Sequence, residues 1–142
     1  MKNLSGVVWL LILLPLVVLV PVMIFVGLHG TWSLTRGAGL TLAAVGLIGI
    51  SIARVNLGNS FSIAPEARRL VTHGVYAYLR HPVYVFGILL IAGFALYIPF
   101  LPLLLILIFI LPMQVIRVRE EERVLEEAFG DEYREYKRRT WF

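Results

Sequence analysis

Eighteen residues, LVTHGVYAYLRHPVYVFG (70–87), hold two histidines (His73, His81), three tyrosines (Tyr76, Tyr78, Tyr84), Arg80 and two glycines, between long apolar segments. A charged group beside hydrocarbon is costly and is usually paired or functional. A second cluster, Arg117, Glu121 and Glu122, follows the last apolar segment, and Arg117 and Glu121 stand i, i+4 on one helix face. Carboxylates, cations, imidazole and phenols at such an edge suit a small charged cofactor. Metal chemistry does not fit: His73 and His81 are eight apart, with no third ligand at metal spacing. The single aspartate, Asp131, lies in the tail, away from any serine–histidine pair, and no GxSxG, Walker loop or GxGxxG occurs.

The elements that position these groups are apolar. The chain has 142 residues, enough for one domain, and is 59% hydrophobic where a soluble domain holds about 45–50%. The class is therefore an all-α integral membrane protein. With no cysteine, disulfides, thiolate sites and a cysteine nucleophile are excluded. The net charge of +4 comes from basic residues flanking apolar segments, which reads as topology and anionic headgroups rather than nucleic acid.

Four apolar segments follow in order. Residues 4–26 are long enough to span, since about 20 residues suffice, and too long for the apolar part of a signal peptide; Pro15 and Pro21 should kink them. A turn over 27–36 carries Trp32, an interfacial residue type. Residues 37–53 place Gly39, Ala43, Ala44, Gly46 and Gly49 at near-helical spacing, which favours close helix packing. The polar stretch 54–82 is broken by Pro65. Residues 83–97 and 101–118 are separated only by 98–102, so they should form an antiparallel hairpin. The third segment is short for a span and begins within the 70–87 motif or tilts. The tail from 119 is helical in pattern, with Gly130 ending a helix and Asp131 opening a further short turn.

Twelve of the 13 Lys and Arg fall at Lys2, in the 54–82 stretch or from Arg117 onward; Arg36 is the exception. The positive-inside rule then puts both termini and the middle loop in the cytoplasm. A hairpin of segments three and four brings Arg80, His81 and Tyr84 to the same depth as Arg117 and Glu121, at one cytoplasmic mouth. Glu126, Glu127, Arg134 and Lys137 read instead as a solvated charged face.

LVTHGVYAYLRHPVY, followed by the Glu121–Glu122 pair, Leu125, Phe129–Gly130, Tyr133 and Tyr136, resembles the isoprenylcysteine carboxyl methyltransferase family, as a short prokaryotic-type member. The resemblance covers about the last 85 residues, including a fainter LGNSFSI at 57–63. It implies a single membrane-embedded domain: two N-terminal transmembrane helices in 1–56, then a cofactor loop, helical hairpin and cytoplasmic helical tail in 57–142. It also implies S-adenosyl-L-methionine as cofactor, contacted by Leu70, Val71, Tyr76, His81, Pro82, Val83, Tyr84 and Glu121. His73, Arg80 and Glu122 would support them, and Arg117 would face a substrate carboxylate. Arg68 stands where eukaryotic members often have histidine, a departure that bears on one cofactor contact.

The chemistry agrees with that implication. Glu121 can pair with the cofactor's ammonium, and tyrosine faces can meet a cation or adenine. Methyl transfer is an in-line displacement helped by alignment. A carboxylate acceptor is already ionised at neutral pH, whereas an amine needs a proton acceptor, for which His81 or Glu122 qualifies. The expected partners are a lipidic or apolar small molecule and membrane lipids, with no nucleic acid. A phospholipid amine N-methyltransferase and a non-catalytic helical scaffold or sensor stand as alternatives. A transporter or redox subunit would carry charge mid-helix, and these segments carry almost none.

Overall fold

The computed structural model describes residues 17, 20–57, 70–98 and 101–142, with side chains at 105 and 107–142 in the last stretch. Most of the first apolar segment, Pro15, the stretch 58–69 with Pro65 and Arg68, and Pro99 lie outside the described residues. Among the described residues there are five α-helices and one 3₁₀ turn. They are α1 (Val20–His29), α2 (Leu34–Leu57), the 3₁₀ turn (Gly74–Ala77), α3 (Pro82–Tyr97), α4 (Leu101–Phe129) and α5 (Asp131–Arg139).

The turn expected over 27–36 is shorter than its composition suggests. α1 continues through Gly27 to His29, and only 30–33 are non-helical. Ser33 then starts α2 as an N-cap, its Oγ accepting the Arg36 N–H at 3.3 Å. α2 ends at Leu57, four residues past the expected limit. It alone among the described helices is long and apolar enough to cross a membrane.

α2 and α3 pack antiparallel through small residues. Gly39, Ala43, Gly46, Gly49 and Ala53 are buried on one face of α2. A Cβ on Gly39 would lie 2.5 Å from the Tyr97 backbone N, and one on Gly46 2.5 Å from the Leu90 backbone N. Gly93 returns the contact, its missing Cβ facing the Ala43 backbone. The two backbones touch because these side chains are absent. Of the expected small residues Ala44 alone is exposed, one position off the contact face. α1 is tied to the far end of α3 by Tyr97, whose hydroxyl donates to the Met23 carbonyl at 2.8 Å.

The fourth apolar segment and the first part of the tail are one continuous helix, as the shared face of Arg117 and Glu121 implied. α4 runs through Pro112 and 29 residues, about 43 Å at ~1.5 Å per residue. That is longer than a hydrocarbon core is thick, about 30 Å. Only the Pro112 donor is lost, and the strong helix formers after it carry the helix on. Gly130, at φ 53°, ends α4 with its N–H on the Glu126 carbonyl at 2.9 Å, a positive φ that glycine adopts freely. The expected turn after it is a true helix, α5, with Asp131 and Glu132 first and Lys137, Arg138 and Arg139 last, as the helix dipole favours.

Ile48, Ile52 and Val55 of α2 and Ile108, Phe109, Met113 and Ile116 of α4 are exposed. Apolar surface on that scale is consistent with a lipid surround.

Candidate functional site

His81 is the N-cap residue of α3 and Pro82 its first helical residue, where a missing N–H costs nothing. The ring of His81 is 5% exposed and lies edge-on to Tyr84 and Phe142, at 6.0 and 5.9 Å between centroids. Behind it, residues 53, 71 and 76 form a small core of Ala53, Val71 and Tyr76, joined by Leu57 and Val83. The end of α2, the 3₁₀ turn and the start of α3 are thus packed together. Gly74 permits this at φ 62°, lying against the Asn56 side chain where a Cβ would collide.

α4 brings two carboxylates to this point. Tyr84 donates a short hydrogen bond to Glu121 Oε1. His81 Nδ1 lies 3.8 Å from Glu121 Oε2, and Arg117 Nε 3.6 Å from Glu121 Oε1. Glu122 faces the other side of the ring, its Oε1 3.5 Å from His81 Nε2 and 3.3 Å from Arg80 Nε, its Oε2 2.7 Å from Lys137 Nζ. The expected meeting of the α3 start with Glu121 is therefore present, and the two adjacent glutamates are held differently. Glu122 is held between two cations, while Glu121 has one, Arg117, and is a quarter exposed.

Burial pushes His81 below its ordinary range and outweighs the opposing pull of Glu121 and Glu122, so the imidazole is neutral near pH 7. Its Nε2 is buried without a hydrogen-bond partner. Burial also acts to raise Glu122. The Lys137 hydrogen bond and the charges of Lys137, Arg80 and His81 prevail, and its carboxyl is held low. Burial raises the phenols of Tyr76 and Tyr133, and that of Tyr136 to about 12, so all three stay protonated.

The other residues singled out by sequence divide. Val71 and Tyr76 are buried and Pro82 almost fully so, Val83 is half-buried against the same core, and Leu70 is half-buried. Arg117 is about half exposed beside Glu121. His73 is exposed and outside the cluster.

Sequence reasoning missed the contribution of the C-terminal end. Lys137, read as part of a solvated face, is half-buried on Glu122, and its carbonyl accepts from Arg80 Nη1 at 3.0 Å. Tyr136 donates to the Tyr76 carbonyl at 2.7 Å, and Tyr133 is fully buried. Trp141 and Phe142 run beside Leu79. The Trp141 N–H meets the Tyr78 carbonyl at 2.8 Å, and the Phe142 carbonyl accepts from the Arg80 N–H at 3.0 Å. The available signal was the tyrosine pair at i, i+3 in an otherwise charged helix. By contrast, Arg134 with Glu126 and Arg123 with Glu127 are exposed pairs, as a solvated face requires.

Comparison with known proteins bears out the resemblance read from the motifs. A protein-S-isoprenylcysteine O-methyltransferase of Schizosaccharomyces pombe is 36% identical over 96 residues, covering 63% of this chain and 41% of that protein. The chain thus spans about two fifths of the length of the curated relative it matches. No solved structure matches. Phospholipid methyltransferase is the family that matches residues 33–132, from the N-cap of α2 into α5 and through both clusters of the mouth, and the chain belongs to it.

Proposed function

We propose that this protein is a membrane methyltransferase of one domain that takes its methyl group from S-adenosylmethionine and acts on a lipidic or apolar acceptor. The observation that carries the reading is the junction of Tyr84, Glu121 and His81, drawn from two helices of a chain of this family. Four apolar segments cross the bilayer, and both termini and the mouth face the cytoplasm, in keeping with the distribution of Lys and Arg.

The residues present fit the cofactor. Glu121 is the accessible carboxylate for its ammonium, fixed in direction by the Tyr84 hydroxyl. Val71 and Tyr76 offer an apolar wall, the backbone of Leu70 and Val71 suits the adenine edge, and Pro82 and Val83 set the start of α3 behind it. The buried Nε2 of His81 makes no hydrogen bond at the same place, its nearest protein acceptor being Glu122 Oε1 at 3.5 Å. When bound, the cofactor supplies an electrophilic methyl group on sulfonium. The chain holds the two reactants in line and keeps water out.

A carboxylate acceptor is favoured, because the relative is named for O-methylation of isoprenylcysteine and Arg117 stands half exposed beside Glu121, able to turn toward a second carboxylate. An amine acceptor has one observation in its favour: a neutral His81 can accept the proton such a substrate must lose.

Calorimetry with S-adenosylhomocysteine tests the cofactor site. The native protein should bind, and Glu121→Ala should weaken binding about 10- to 100-fold, as loss of a charged hydrogen bond implies. No heat with the native protein would leave a non-catalytic scaffold. Incubation with methyl-labelled cofactor and a membrane lipid extract then identifies the acceptor. Label released by mild alkali marks a methyl ester, and label that resists it marks an amine.

A further inference from the structure

We propose that Lys137 is a positioning residue of the mouth: by holding Glu122 in an ion pair shared with Arg80, it reserves Glu121 as the carboxylate that meets a cationic ligand. This rests on the methyltransferase reading for the identity of the ligand, and on geometry alone for the arrangement.

Adjacent carboxylates on one helix compete for any cation that approaches. Here His81 is wedged between them, 3.8 Å from one and 3.5 Å from the other. Two neighbouring anions would draw a proton onto the imidazole. Burial of the ring outweighs that pull, and the pairing of Glu122 with two cations lessens it. Lys137 Nζ lies 2.7 Å from one oxygen and Arg80 Nε 3.3 Å from the other. Arg80 is itself held through Nη1 on the Lys137 carbonyl, and its backbone N–H on the chain at 141–142. Lys137 therefore acts twice, by its ammonium on Glu122 and by its carbonyl on Arg80. The groups facing His81 come from each element packed on it: Tyr84 of α3, Glu121 and Glu122 of α4, Lys137 of α5 by way of Glu122, and Arg80 from its own loop. Residue 137 lies beyond the stretch 33–132 that matches the family. The site thus extends along α5 past the end of the match.

The test is Lys137→Met in the full chain in micelles, with two readouts. The first is the titration of the His81 imidazole by NMR, which requires no cofactor. The second is the dissociation constant for S-adenosylhomocysteine. In Lys137→Met the His81 titration should move up by about one pH unit and binding weaken about tenfold. Lys137→Arg should keep both near native. Glu122→Gln combined with Lys137→Met should return the titration toward native, because it removes the charge Lys137 had answered. The double variant also serves if the single one does not fold, since an unmet buried charge is then absent.

An unchanged His81 titration in Lys137→Met, or a double variant that titrates like the single one, overturns the proposal. If the native protein fails to bind S-adenosylhomocysteine while the titrations behave as stated, the methyltransferase reading falls and the positioning role of Lys137 stands.

Discussion

The seam between α2 and α3 and the mouth between α3 and α4 are both helix–helix junctions, yet they hold by opposite means. At the seam, side chains are missing: Gly39, Gly46 and Gly93 let one backbone lie on the other, with no charge in reach. At the mouth, side chains are long and polar or charged: Tyr84 of α3 meets Glu121 of α4, which Arg117 flanks, and Lys137 of α5 meets Glu122. A site needs the second kind of junction. Backbone contact leaves no room for a ligand, and paired charges leave groups that a ligand can engage. The rigid seam in turn fixes the start of α3, so that His81 and Tyr84 face α4 without having to be held there by the ligand.

The largest test of this contrast is Gly46→Leu. Its side chain must displace the Leu90 backbone, and overpacking of this kind should cost about 3 kcal/mol, read as a shift in a denaturant titration in micelles. Gly37→Ala is the control on the same helix. Nothing lies within 4 Å of that position, so stability should hold or rise. Were both substitutions equally tolerated, the seam would not be a backbone contact.

Gly74→Ala acts where the two regions join. A left-handed backbone costs a side chain about 1–2 kcal/mol, and Asn56 must also move aside. Stability should fall by about 2 kcal/mol. Binding of S-adenosylhomocysteine should fall with it, since the loop carrying Tyr76 is displaced.

Acidification should weaken the mouth and spare the seam. His81 is held below its ordinary value of 6.5 by burial, so the unfolded chain takes up a proton that the folded chain refuses, and stability falls as pH drops through that value. Glu122 is held below 4.5 because its partners outweigh burial. Its contribution is present above that value and is lost as pH falls toward the folded pKa. Unfolding followed from pH 7 to 2 should show both declines, and His81→Asn should remove the first alone. The smallest effect is expected of Arg123→Ala. Its pair with Glu127 is exposed on both sides, and the change should be under about 0.5 kcal/mol.

Among the described residues the helices and the hairpin were legible because hydrophobic periodicity and length dictate them locally, although of the four spans expected only α2 is long and apolar enough to cross a membrane. So was the small-residue face, in which only Ala44 was misplaced. The union of Leu79 with Trp141, and of Tyr76 with Tyr136, was not legible. Nothing in the composition of EYREYKRRTWF says which way a short charged helix turns after Gly130. That direction follows from one positive φ and from burial of Tyr133.

Chain order and residue type were enough to bring Arg80, His81 and Tyr84 level with Arg117 and Glu121, because a short link between two apolar helices leaves no other arrangement. Which of two neighbouring glutamates stays open, and that Lys137 closes the other, depends on contacts 15 residues or more apart along the chain. Such contacts follow from the packed fold, since the reach of a lysine is known from its type but its target is set by where α5 comes to rest.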